Sequence, residues 1–408
     1  AIGTEQLLDA YEEMPWLQMA ARKASDGVAA ALNISVLSVR RGGKTIPAKA
    51  YQFGGFQVRD VGIKEAKRAG ELVSHPNHVF LAALADPNPY MTRRGLLHVT
   101  NSYLDIVGDA YWFVQRNVAG VPAGYWPIPA HWVLESPTVD RPQWRVGYRG
   151  WQVSLDEADI LHFHDPGLSN PYGRGAGVGW ALADDLEVDE YLAKMAKSMF
   201  FNQARPDFVV YNFGSKTEKD TAERNWLRGH QGFWKEMRPH FMGGEPKFHE
   251  FKRQTMNELM YPEFRTRQRD IVLQVYGHPP EIFGILENSN RATIEAAFYL
   301  FQVGVVAPRA ERMIEPLQRH FSREFDPRGV LHYPNAVPED KEFLLKVAQA
   351  VPQSRQMDEW RELQGLDPWA DDRGRAYPVS IQHHMERDLF AVPRKPEPTP
   401  TDPKKDAQ

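Results

Sequence analysis

Between Ala110 and Phe163 the chain carries six short runs rich in aromatic and β-branched residues: AYWFVQRNV, GYWPI, HWVL, WRVGY, WQV and ILHF. Turn residues separate them, and runs this short with period-two alternation predict strands. Helical patterns lie on both sides of the segment. The chain is therefore expected to be α+β, a β-rich layer following helices.

Upstream, Thr4 with Glu5, Leu7, Leu8 and Tyr11 predicts a short capped helix, 16–32 a second helix, and Ile34–Val39 a strand. A helix over 79–84 precedes the breakers Asp86–Pro87–Asn88–Pro89, and Thr92 caps another that runs to Gly108. Downstream, the glycine-rich Gly173–Gly179 opens a helix over 180–202, about 35 Å long at 1.5 Å per residue. A strand at 208–213, a helix over 218–237 and a strand near 247–252 come next, then a helix over 261–276 closed by Gly277. The helical pattern from Arg291 to Phe321 contains Pro308 and Pro316 and should bend or break at both. A short strand at 329–332 and helices over 339–351 and 357–363 follow; from Pro393, five prolines in eleven residues predict a disordered tail.

A formal net charge of -4 argues against a protein that grips DNA by its phosphates, which needs a basic excess. The absence of cysteine excludes disulfides and thiolate metal sites and fits a reducing compartment. No apolar run is long enough to span a membrane, and AIGTEQ lacks the plan of a signal peptide, so no membrane partner is expected.

Candidate chemistry is sparse. In LHFHDP, His162 and His164 share a strand face beside Asp165, but two ligands do not make a metal site, and a strand-end role is the reading adopted. GRGAGVG lacks both GxGxxG and a GK[ST] ending, so it reads as the entry to a helix and not as a phosphate loop. Asp184, Asp185, Glu187, Asp189 and Glu190 crowd the first turns of that helix, where they suit its positive end and would repel a nucleotide. Asp185 and Asp189, four apart, admit a metal-dependent nuclease as an alternative. Arg265, Arg267 and Arg269, with Lys252 and Arg253, form a basic patch that either touches phosphate or pairs with acidic neighbours. No catalytic residue, cofactor site or metal site is assigned.

The order of the segments resembles the portal proteins of long-tailed phages. HPNHVFLAALADPNPYMTRRGLL, GDAYWFVQRNVAGVPAGYWPIPAHWV, LHFHDP with NPYGRGAGVGWALADDLEVDEYLAKMAKSMFFNQARPDFVV, RQRDIVLQVYGHPPEIFGILENSNRATIEAAFYLFQVGVVAPRAERMIE and DEWRELQGLDP are similar to that family's segments and occur in its order. The resemblance implies a ring of about a dozen subunits at one capsid vertex. It implies a wing (1–176), a stem helix (177–204), a clip (205–253), a second stem helix (254–278) and a tunnel loop (279–292). A long kinked helix returning to the wing (293–337), a crown (338–370) and a C-terminal tail (371–408) complete it. Glu287, Asn288, Ser289, Asn290 and Arg291 would face DNA in the tunnel loop, the acidic stem residues Asp184 to Glu190 would contribute to the lumen, and Trp226 and Trp234 would anchor docking at the clip. The implied partners are the chain itself, the major capsid protein, the terminase large subunit, a head–tail adaptor and the DNA in transit. The implied location is the virion's portal vertex, reached through the host cytoplasm. Another head-completion or connector protein stays open as an alternative, and phage and gene transfer agent are not separated.

Overall fold

The computed structural model of the 408-residue chain describes residues 3–41, 44–45, 71–138, 140–201, 208–211, 216–217, 220–221, 224, 247–250, 261–286, 290–334, 346, 350, 356–363, 366, 377–378 and 390–391. The chain divides into two compact units, 1–336 and 337–408.

In the first unit, α1 (Thr4–Glu13) and α2 (Pro15–Ala31) lead into β1 (Ser35–Arg41). Thr4 is not the cap of α1. Gly3 holds that position, and its N–H donates to the Gln6 side-chain oxygen at 2.7 Å. β1 pairs antiparallel with β2 (Lys44–Thr45), β3 (Leu72–Ser74) and the distant β12 (Val330–His332). After α3 (Val79–Ala85), α4 (Arg93–Ile106) starts as expected, with the Thr92 hydroxyl accepting from the Gly95 N–H.

The six expected strands are all present and form two antiparallel sheets. One has the order β5 (Pro122–Ile128), β4 (Asp109–Arg116), β9 (Ile160–His164); the other is β6 (Val133–Glu135), β7 (Gln143–Tyr148), β8 (Trp151–Asp156). The first packs its Trp112, Tyr125 and Phe163 against Phe80, Leu96, Leu97 and Phe321, all nearly or fully buried. Tyr111, Ile128, Trp144 and Ile160 form a second core that joins the two sheets to Leu7 and Ile106.

The long helix after the glycine run is split. A single turn, α5 (Val178–Ala181), gives way at Leu182 to α6 (Ala183–Phe201). A third core of Leu17, Ala20, Leu182, Leu186, Val272, Leu273 and Tyr276 fastens α6 and α7 (Tyr261–Tyr276) to α2. Gly277, at φ +74°, turns the chain out of α7 in a conformation that suits glycine. Between α6 and α7, β10 (Phe208–Tyr211) and β11 (Lys247–Glu250) pair antiparallel. Most of the helix expected over 218–237 lies outside the described residues.

The long C-terminal pattern forms α8 (Arg291–Phe301), a π-helical turn (Gln302–Val306) and α9 (Ala307–Glu324). Two breaks were expected; the structure has one irregularity, just before Pro308. Pro316 sits inside an unbroken α9, whose buried Met313, Ile314, Leu317 and Phe321 hold the helix through the lost bond.

In the second unit, α10 (Met357–Leu363) and the pair β13 (Tyr377–Pro378) with β14 (Phe390–Ala391) are described. Most of the helix expected over 339–351, and the proline-rich tail, lie outside the described residues. Among the described residues no helix is long and apolar enough to cross a membrane.

Candidate functional site

The glycine run is a backbone crossing. Gly108, at φ +93°, reverses the chain between α4 and β4, and the returning segment 165–179 lies directly on it. A Cβ at Gly175 would stand 2.1 Å from the Gly108 carbonyl oxygen, one at Gly177 2.6 Å from the Gly108 nitrogen, and one at Gly179 2.4 Å from the Ile106 oxygen. These glycines are required by close approach of two backbones, and α6 is aimed from this crossing. The Asp165 N–H donates to Gly108 O at 2.8 Å, and Ala176 N–H to Asp165 O at 3.0 Å.

Two charged clusters flank the crossing. Asp105 is wholly buried on α4 and accepts from Arg309 Nε (2.9 and 3.0 Å), from Arg312 (2.6 Å) and from the Asn101 amide (3.0 Å). Arg312 also reaches Asp165 at 2.7 Å, so the Asp of LHFHDP is an ion-pair anchor for α9. A buried carboxylate is tolerable only when charges and hydrogen bonds answer it, as they do here. Sequence reasoning missed this cluster. Its only trace was an acid between Leu104 and Ile106, with two arginines three apart on a helix.

The second cluster joins His162 and His164 to Asp109, which was not anticipated. Antiparallel register sets Asp109 opposite His164 and Tyr111 opposite His162. His162 Nε2 and His164 Nδ1 each lie 2.8 Å from Asp109 Oδ1, and the Gly175 N–H donates to Asp109 Oδ2 at 2.6 Å. Burial acts to raise the Asp109 pKa, but the hydrogen bonds from His162, His164 and Gly175 outweigh it and hold the carboxyl below its usual range.

On the stem helices, Asp184 and Glu187 are exposed, while Asp185, Asp189 and Glu190 are half-buried. Asp189 is held by Arg265 of α7, and Glu190 by Lys194. Arg269 pairs with Asp270 and lies over the Trp16 ring. The basic patch therefore answers acidic neighbours at Arg265 and Arg269, and the Asp185–Asp189 pair proposed for a nuclease has one carboxylate already engaged. Asn290 caps α8, its side-chain oxygen accepting from Thr293 N–H at 3.0 Å, and Arg291 pairs with Glu295 at 2.8 Å. Glu287, Asn288, Ser289, Trp226, Trp234, Lys252 and Arg253 lie outside the described residues.

The model of the family described as phage portal protein matches residues 60–349, most of the chain. The chain belongs to the phage portal protein family. Its fold is similar to those of chains in solved gene transfer agent particles and of a solved phage portal protein. A chain from the neck of an empty gene transfer agent particle, computed with C6 symmetry, is 17% identical over 90% of this chain and 94% of its own, with a TM-score of 0.60. The neck of the native particle, computed with C12 symmetry, gives 16% identity, the same coverage and a TM-score of 0.57. An HK97-family portal protein from Corynebacterium diphtheriae is 15% identical over 83% of this chain and 97% of its own, with a TM-score of 0.50. No curated protein matches in sequence.

The phage portal family is a structural one. The glycine crossing, with its Asp105 anchor beside it, sits where the β-rich body meets α5 and α6.

Proposed function

We propose that this portal protein assembles as a closed ring of about a dozen copies at one capsid vertex, through which the genome enters and leaves. The family match across residues 60–349 carries the reading. In this ring α6 and α7 are the stem, β10 and β11 frame the clip, and α8 follows the tunnel loop that contains Glu287 to Asn290. Exposed Val188 and Tyr191 on α6, and Phe298, Tyr299 and Leu300 on α8, are apolar surface that neighbouring copies would cover. Asp184 and Glu187 project from α6 with no cation among their described contacts. A lumen with few fixed cations lets a polyanion slide, because each lysine or arginine bound to phosphate would retard it. The terminase motor, the head–tail adaptor and the major capsid protein are the partners in this reading, with Trp226 and Trp234 at the clip surface.

Electron microscopy of the purified full chain, with its mass in solution, tests the proposal. Closed rings with a hole that admits duplex DNA are expected. A small oligomer that cleaves DNA only when a divalent cation is present would overturn it.

A further inference from the structure

Asp109, His162 and His164 form the one group among the described residues with donor atoms placed to hold a metal ion, all within 4.8 Å of one another. We propose that they bind a first-row divalent cation of the zinc type, which clamps β4, β9 and the loop 165–177 together.

The argument starts from His164. Its Nε2 lies 3.2 Å from the Pro171 carbonyl oxygen, which can only accept, so this nitrogen carries the hydrogen. In the neutral ring Nδ1 is then a bare lone pair, and it faces Asp109 Oδ1 at 2.8 Å. Two lone pairs at that distance repel, so the contact holds either the second proton of an imidazolium, which makes it the hydrogen bond described above, or a metal ion. His162 Nε2 points at the same oxygen from the same distance. Two imidazoles and one carboxylate oxygen thus converge on one place.

The surroundings are those of a ligand set. A metal-binding histidine characteristically donates its other N–H to a carbonyl, which fixes the ring, and His164 makes that contact with Pro171. The second Asp109 oxygen is occupied by Gly175 N–H, leaving Oδ1 for an ion. Tyr111 stacks on His162 at 4.6 Å, and Trp144 meets it edge-on at 5.0 Å, locking its orientation. Asp109 is 2% exposed and the histidines about a quarter, so the site opens on one side, where water completes the shell. With metal–ligand bonds of about 2.0–2.1 Å, tetrahedral ligand atoms lie about 3.3 Å apart. Each nitrogen therefore moves about 0.5 Å away from Asp109 Oδ1, and the two nitrogens, within 4.8 Å of each other, settle to the same spacing. Two nitrogens with one oxygen select Zn²⁺, Co²⁺ or Ni²⁺ over Mg²⁺ and Ca²⁺, which demand oxygen shells.

The full-length chain, free of any histidine tag and stripped with chelator, is titrated with Zn²⁺ by calorimetry and with Co²⁺ by visible absorption. One Zn²⁺ per chain is expected, with no heat from Mg²⁺, and Co²⁺ should give the absorption bands of nitrogen and oxygen ligation. His162→Gln and Asp109→Asn should each weaken Zn²⁺ binding by about 100-fold or more, with ring assembly as the check on folding. The Co²⁺ spectrum of the unmodified chain decides the matter if a variant fails to fold. Absence of stoichiometric binding in the unmodified chain, a proton alone bridging the pair, overturns the proposal. So does Zn²⁺ binding that survives His162→Gln in a folded ring.

Discussion

Replacing Asp105 with Ala removes the only carboxylate shared by Arg309 and Arg312 in the Asp105 cluster, in a place that water does not reach. Asp105 is wholly buried, and the two arginine side chains are only 12% and 22% exposed. The loss is therefore not that of a surface pair. Two guanidinium groups stay behind, facing each other across the vacated volume, and breaking a buried pair in this way costs about 3–5 kcal/mol. Unfolding entropy near 2.1 cal/mol/K per residue gives about 0.7 kcal/mol/K for the unit spanning 1–336, so Tm should fall by about 4–7 °C. Differential scanning calorimetry of the assembled protein reads this directly. The triple replacement Asp105→Leu, Arg309→Met, Arg312→Leu removes all three charges and should recover most of the loss, because well-packed apolar groups avoid the desolvation penalty. It leaves Asp165 without Arg312, at a side chain 38% exposed, where water can answer it. A fall below about 1 °C for Asp105→Ala, or a triple variant as unstable as the single one, would refute the claim that uncompensated charge is what the cluster prevents.

Gly179→Ala drives a methyl group to within 2.4 Å of a backbone oxygen and should destabilise by about 2 kcal/mol or more in thermal unfolding; Gly304→Ala, with open space around it, should be neutral or stabilising by up to about 1 kcal/mol. His278 and His320 are buried and their pKa values fall from 6.5 to about 4, chiefly through desolvation. The unfolded chain takes up those protons first, so stability is full above about pH 6.5 and drains as pH falls toward 4, by about 3 kcal/mol for each group. Denaturant titrations across that range should show the decline, and His320→Leu should remove one proton's share of it. Charge reversal at Asp184, Asp185 and Asp189 should slow packaging in a reconstituted assay; unchanged packaging and ejection would sink the acidic-lumen idea. Trp226→Ala and Trp234→Ala should weaken motor binding to the clip, and full retention in a pull-down with intact rings would count against those anchors.

Local pattern reached most of the secondary structure because each element's signal lies within its own residues. Alternation from Ala110 to Phe163 located six strands, and Thr92 and Gly277 marked helix ends that the structure keeps. What local pattern could not supply was contact between distant segments. Asp105 and Arg309 stand 204 positions apart, and nothing near either names the other. Asp109 lay just ahead of the first strand run with nothing to mark it, and it joined the two histidines once register had placed it opposite His164. The glycine run was read only as the entry to a helix, since the need for missing side chains appears only when Gly108 lies beneath it. Pro316 was overestimated as a breaker, because a deeply buried stripe on α9 outweighs one missing hydrogen bond. The portal resemblance, by contrast, lay in the order of segments, which a linear reading preserves.

The π-helical turn fixes a phase. Ala307 N–H donates to the Gln302 carbonyl five residues back, so the backbone carries one residue more than an α-helical path needs there. Removing a single residue from 302–306 would restore the ordinary ladder and turn α8 by about 100° about its axis while leaving α9 anchored. Phe298, Tyr299 and Leu300 would then point elsewhere on every copy at once. In the proposed ring such a change would be multiplied by the symmetry, so a one-codon deletion in this stretch would act as a gear change for the whole circle.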